Sequence, residues 1–469
     1  MDPTPLERSM PLRIPAKSDG RTEQAAPSTH GSSSRAIVNL HFCVLALFLP
    51  LSIVYLPVYS SPGAGVLTAR DVALAVVWCT TTIVLLGKRT LNRQGYACIW
   101  LCVFASLPGF LGLLSSFSYD SNSPLLGDFL MHLKRFGGPS VLAMAVSFLN
   151  EREKSLLART AVLAFVLAVT LPFTPLVQSL PQAPNASGAG AAAENRNSGT
   201  IFNPNEFGEL AVVSLSIALG AVTGRGAWAW KAAAFGAAAF AVVSSASRAG
   251  MAALLCGSLL VVIRSRKSTL MRVAVAALMA TLILVGTRFS DSYNSRMASA
   301  VDGENMDLSL VGRLDAQWIA INTGIHNPLG VGFINMPTAT ALYSDASPFG
   351  IVTEVNGSDS LYIDFFSATG IAGLACIVTT LWIAWRLLSP QGGRERNLYL
   401  QAGLAGVALA ALSNVCPASA FTAPFFFVLV GLYQEAAPRE RRAQRIAGVR
   451  TVRIEPCEGL LPPWACHER

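Results

Sequence analysis

Long apolar runs constrain this chain more than any other feature: stretches of roughly 16 to 25 residues, nearly free of charge, recur along all but its two ends. At the rise of an α-helix such a run covers about 30 Å of hydrocarbon. Lipid leaves no backbone amide unpaired, so each run reads as a helix. Barrel strands would alternate polar and apolar residues, and these runs do not. Apolar residues make up 52% of the 469 positions and charged residues only 13%, which excludes an ordinary soluble domain.

The expectation is therefore an all-α fold, a polytopic membrane bundle of about twelve transmembrane helices. The spans are expected at 36–58, 71–88, 95–117, 126–150, 155–177, 206–223, 227–246, 249–265, 270–288, 360–387, 397–415 and 419–435. They divide the chain into a disordered cytoplasmic tail at 1–35, nine helices within 36–288, a loop at 289–359, three helices within 360–435 and a basic tail at 436–469. A second segment between helices, 178–205, is rich in Gly, Ala and Asn. The 289–359 loop instead carries Trp318, Phe333 and a helix-like stretch from Leu310 to Thr323, which predicts a partly ordered cap.

Basic residues set the orientation. Arg8, Arg13, Lys17, Arg21 and Arg35 precede the first span, and Lys88, Arg89 and Arg93 follow the second. Arg152 and Lys154, Arg225, Arg264, Arg266 and Lys267, Arg394 and Arg396, and the cluster from Arg439 to Arg445 fall on the same side. That side is the cytoplasm, so both termini are inside and the large loop is outside. The net charge of +8 is accounted for in this way and calls for no nucleic acid. The nine cysteines show no CxxC or Cys/His spacing and read as small core residues, Cys98 and Cys102 included.

Cations on the outer side break the pattern, namely Lys134 and Arg135 within the fourth span, Arg248 between spans seven and eight, and Arg313 in the loop. An arginine within a span costs about 2.5–3.5 kcal/mol on insertion scales, so each asks for a polar cavity and an anionic partner. Arg248 sits in the small-residue turn Ser244-Ser245-Ala246-Ser247-Arg248-Ala249-Gly250. It reads either as a snorkelling side chain at a helix end or as a planar fork for phosphoryl oxygens.

That turn is one of four ordered features that together resemble the O-antigen ligase and Wzy-type polysaccharide polymerase superfamily. Upstream is Gly199-Thr200-Ile201-Phe202-Asn203-Pro204-Asn205-Glu206-Phe207, similar to an Asn-rich lead-in to a central helix. Downstream are Gly312-Arg313 with Trp318, then Asn327-Pro328-Leu329-Gly330-Val331-Gly332-Phe333. Last come Asp359-Ser360-Leu361-Tyr362-Ile363 and Thr369-Gly370-Ile371-Ala372-Gly373-Leu374, which resemble the opening of the helix after the large loop. Family ligases typically carry a His-Asn pair where this chain has Asp359 and Ser360, which favours a polymerase.

The resemblance implies a GT-C-like glycosyltransferase of the bacterial inner membrane. It implies transfer of glycan from an undecaprenyl-diphosphate-linked oligosaccharide to an acceptor hydroxyl in the periplasm, without metal or other cofactor. The product would be a surface polysaccharide or exopolysaccharide, and a chain-length regulator would be a possible partner beside membrane lipid. Arg248 and Arg313 become the diphosphate residues and Asp359 the catalytic base, with a helix cap as its structural alternative. His326 is the rival base, and Glu354 and Asp364 stay open. Asn203 and Asn205 are expected to bind sugar, or Asn205 to cap its helix. Lys134, Arg135 and His132 join from intramembrane charge, and Tyr362 and Trp318 as stacking aromatics. Transfer to lipid A-core by a ligase, or carriage of a lipid-linked glycan by a flippase, are the competing functions.

Overall fold

The computed structural model describes residues 30–54, 56–61, 65–87, 91, 93–120, 129–130, 132–174, 203–265, 288, 308–350, 352, 357–389, 395–414, 419 and 421–433. The expected span at 270–288, apart from its last residue, lies outside them, as do Glu354, most of 178–205 and the tail at 436–469.

Helices dominate the described residues. In chain order they are α1 (His30–Ser52), α2 (Ala69–Gly87), α3 (Arg93–Tyr119), α4 (Val141–Ser147), α5 (Glu151–Thr170), α6 (Pro204–Ala221), α7 (Ala227–Ser245) and α8 (Arg248–Arg264). After the gap follow α9 (Leu308–His326), α10 (Met336–Ala341), α11 (Leu361–Leu388), α12 (Glu395–Ala410) and α13 (Thr422–Gly431). Among the described residues, five segments are long and apolar enough to cross a membrane: Ala69–Gly87, Gln94–Tyr119, Glu151–Phe173, Ala227–Ser245 and Leu361–Leu388. Ile37–Ser52 and Thr422–Gly431 are shorter apolar helices. The protein is thus a helical, multi-pass membrane protein.

α6 and α13 form the centre. Nearly every residue of α6, and all of α13, is buried, as a helix apolar on every side requires. α6 packs against α5, α7, α8, α12 and α13. Small residues bring the helices close: a Cβ at Gly257 of α8 would stand 2.9 Å from the Ala402 carbonyl of α12.

Four sequence expectations change. The first span does not run to residue 58: Pro57–Ser61 forms a strand, β1, that pairs antiparallel with β2 (Gly65–Thr68), and the Ala69 amide that opens α2 donates to the Leu56 carbonyl at 2.8 Å. α1 begins at His30, inside the stretch expected to be a disordered tail. The fourth span is broken: Leu133–Gly137 winds as a π-helix, and the Gly138 amide reaches back five residues to the Leu133 carbonyl at 2.5 Å. Pro139 follows with no amide hydrogen to donate, and α4 restarts only at Val141. Finally, α11 is interrupted at Gly370, at φ 68° and ψ −166°.

The interruption in α11 is filled by the loop before it. Val331 and Gly332 donate their amides to the Ser367 and Ala368 carbonyls at 3.1 and 2.7 Å, and the Ile371 amide donates to the Pro328 carbonyl at 3.3 Å. Backbone groups freed by the break are thereby satisfied within the protein, the condition for irregular backbone in a membrane protein. Only glycine fits at the contact, because a Cβ at Gly370 would collide with the Pro328 carbonyl, and φ is positive there as well.

Candidate functional site

One end of the bundle gathers the starts of α2, α6, α8, α11 and α13. Helix N-termini present unpaired amides and partial positive charge, so several together favour an anion. At the opposite end, cations meet carbonyls instead. Lys154 donates to the Tyr433 carbonyl at 2.9 Å and Arg159 to the Thr223 carbonyl at 2.6 Å.

Contacts between distant segments tie the N-terminal end together. Asp71, in the first turn of α2, accepts from Lys134 of the π-helix at 2.7 Å and lies 3.4 Å from Arg70. Arg70 is buried with its guanidinium 5.4 Å from the Phe421 ring centre, just before α13. Glu206 in the first turn of α6 accepts from Asn203 Nδ2 at 3.2 Å and from the Ser419 hydroxyl. Arg135 lies within electrostatic reach of Arg70, Glu206 and Asp364. Below them Asn414 donates to Glu209 at 2.8 Å, joining the end of α12 to α6.

The second half of the site is the start of α11. Asp359 has φ 56°, an uncommon backbone for a non-glycine residue, and its Oδ2 stands 3.0 Å from Arg313 Nε of α9. The side chain of Asp359 is 48% exposed and that of Arg313 23%. The helix-cap alternative for Asp359 falls: the N-cap of α11 is Ser360, and the Asp359 carboxylate is turned to Arg313. Asp364 accepts from the Ser358 amide and hydroxyl, both at 2.6 Å, and so fixes the turn that carries Asp359.

Arg248 opens α8, half-buried, after Ser247, whose hydroxyl caps the helix by accepting the Gly250 amide at 3.0 Å. The same hydroxyl donates to the Asn205 carbonyl at 3.5 Å, and a Cβ at Gly250 would meet the backbone of Gly208 at 2.8 Å. The small residues of this turn therefore serve the approach of α8 to the start of α6. They place Arg248 beside the Asn203–Glu206 segment. Asn203 is the cap of α6, accepting from the Asn205 and Glu206 amides, so the capping role allowed for Asn205 belongs to Asn203.

Other expected residues lie apart. His326 ends α9, thirteen positions and about 20 Å from Arg313 along the helix, with Nδ1 donating to the Asn322 carbonyl at 2.8 Å and its ring stacked on Tyr343. It does not share the Arg313–Asp359 site. Tyr362 donates its hydroxyl to the Ala408 carbonyl at 2.9 Å, fastening α11 to α12. His132 is buried, donates Nε2 to the Ala105 carbonyl at 2.9 Å and stacks on Phe333, a packing role. Trp318 is exposed on α9.

Sequence reasoning missed Arg70, Asp71, Glu206 as a site acid, Ser419 and Asp315. The adjacent charges Arg70-Asp71 at the start of an apolar run were a legible signal for the first two. Asp315, fully buried on α9, accepts from the Ser347 hydroxyl and from the Phe349 and Val352 amides at 3.3 and 3.0 Å. It binds the cap loop to the helix that carries Arg313.

Residues 232–378 match the family model described as O-antigen ligase. The chain carries an O-antigen ligase-like segment. This supports the resemblance read from its motifs to the O-antigen ligase and Wzy-type superfamily. No curated protein matches the chain. The O-antigen ligase-like segment takes in Arg248, Arg313, the turn at 328–332, Asp359 and Gly370; Lys134, Arg135, Asn203 and Asn205 lie before it. The match indicates ligase- or polymerase-type function, that of a glycosyltransferase-like enzyme, without separating the two.

Proposed function

We propose that the protein is a polysaccharide polymerase of the bacterial inner membrane. It transfers glycan from an undecaprenyl-diphosphate-linked donor to an acceptor sugar hydroxyl at the periplasmic face. The observation that carries this reading is the Arg313–Asp359 pair, a guanidinium and a partly exposed carboxylate 3.0 Å apart at the end where five helix N-termini meet.

Transfer forms a bond between the acceptor oxygen and the anomeric carbon while the bond from that carbon to the diphosphate breaks. The electron pair leaves with the diphosphate oxygen, and the acceptor proton goes to a base. Arg313 and Arg248 suit the departing charge, since a guanidinium fork matches phosphoryl oxygens and, held in place, needs no reorganisation. Asp359 suits the proton, with Oδ2 beside Arg313 and its side chain open to an acceptor. Arg70, Lys134 and Arg135 extend the positive field deeper, while Asp71, paired with Lys134 and Arg70, offsets part of it.

The match to an O-antigen ligase family favours a second reading, a ligase that hands the glycan once to lipid A-core. Purified protein in lipid, given a lipid-linked repeat unit alone, tests both. A product ladder that lengthens with time supports the polymerase. A single transfer seen only when a lipid A-core acceptor is added replaces it with the ligase, and no transfer under either condition removes both.

A further inference from the structure

α9 has two apolar faces. Val311, Ile319 and the side of Asp315 and Thr323 turn inward and are buried. On the other side Leu314, Trp318, Ile321 and Ile325 recur at i, i+4, i+7 and i+11, a stripe about 60° wide. Trp318 is 51% and Ile325 62% exposed. A helix standing in water would place polar groups there. Here Arg313 and Gln317 border the stripe along one side and Asn322 along the other.

At its C-terminal end the stripe runs into surfaces that face hydrocarbon. Past His326 the chain reaches Leu329, 75% exposed, whose carbonyl accepts the Ser115 hydroxyl of α3 at 2.5 Å. Leu114 and Phe117 beside Ser115 are exposed on α3. The adjacent Pro328 carbonyl accepts from Ile371, itself exposed on α11. Both α3 and α11 contain segments long and apolar enough to cross a membrane, so their exposed apolar flanks are lipid-facing. α9 is not among those helices, for Arg313, Asp315, Gln317 and Asn322 interrupt it.

We propose that α9 is an interfacial helix whose Leu314–Ile325 stripe is sunk among the acyl chains at the bilayer surface, rather than part of a cap surrounded by water. Helices with one apolar stripe and polar borders take this position, and tryptophan is favoured there. The placement stands independently of the transferase reading. It fixes Arg313, on the border of the stripe, at headgroup depth, where a lipid-borne phosphate or diphosphate is presented.

The full chain, placed in bilayers of phosphatidylcholine brominated at acyl carbons 6 and 7 or 11 and 12, tests this through Trp318 fluorescence. The emission of Trp318 is the difference between the wild type and Trp318→Phe, which keeps the stripe apolar. Shallow bromines are expected to quench that difference by about half or more and to outdo the deep ones, with acrylamide less effective than on free tryptophan. Acrylamide quenching at the free level without bromolipid quenching makes α9 a water-facing cap and overturns the inference. Quenching by neither agent means protein covers the stripe, from this chain or a second copy, and overturns it too. Stronger quenching by the deep bromines also overturns it, in favour of a spanning helix.

Discussion

Arg313 Nε lies 3.0 Å from Asp359 Oδ2, and this contact joins the loop helix α9 to the left-handed residue that leads into α11. One residue belongs to the proposed leaving-group site and the other to the proposed base. Substitution can therefore separate charge, geometry and proton acceptance.

Arg313→Lys and Arg248→Lys are expected to insert at normal levels and to lose most of their activity, because lysine keeps the charge and loses the planar fork. Polymer yield from the reconstituted variants checks this. Near-parental yield from both would take the diphosphate role away from them.

Asp359→Asn retains size and hydrogen bonding but cannot take a proton. Because Ser360 and not Asp359 holds the N-cap position, the fold does not depend on this carboxylate as a cap. Turnover should fall by about 10²–10⁴-fold with the membrane level unchanged, and Asp359→His should restore part of it. A parental rate from Asp359→Asn would assign the base elsewhere, with Asp364 rather than the distant His326 next to be tested.

Gly370→Ala should destabilise the protein through two effects, a positive φ worth about 1–3 kcal/mol and a Cβ driven onto the Pro328 carbonyl. Gly330→Ala meets the Ala368 carbonyl in the same way. Thermal unfolding of the purified variants in detergent, at a lower midpoint than Gly312→Ala, where a Cβ meets nothing, is the expected result. Equal midpoints would mean that the 328–332 turn does not hold the break in α11.

For orientation, a cysteine in place of Ser344 should react with an impermeant thiol reagent applied to spheroplasts, since the positive-inside rule applied to the basic clusters predicts this loop outside. Reaction only after permeabilisation would reverse the topology.

Activity should persist in EDTA, because fixed guanidinium groups can stabilise the leaving diphosphate in place of a cation. Loss of activity that magnesium or manganese restores would count against the mechanism.

The sequence by itself determined the class of the molecule. A run of apolar residues long enough to cross lipid is a local property, and so are the basic clusters from which an orientation is predicted and the ordered motifs around Arg248, Arg313 and Asp359. Breaks within runs were less legible. Gly137-Gly138-Pro139 and Gly370 stand in plain view, but whether glycine bends a helix depends on what packs against it, here the Pro328 carbonyl. Only the tertiary structure decided the partners of the charges. Glu206 and Ser419 are 213 positions apart, and Lys134 finds Asp71 across the whole of α3. Such pairs form because charges that lipid will not solvate must meet wherever the folded helices bring their ends together, and no local pattern in the chain encodes that meeting.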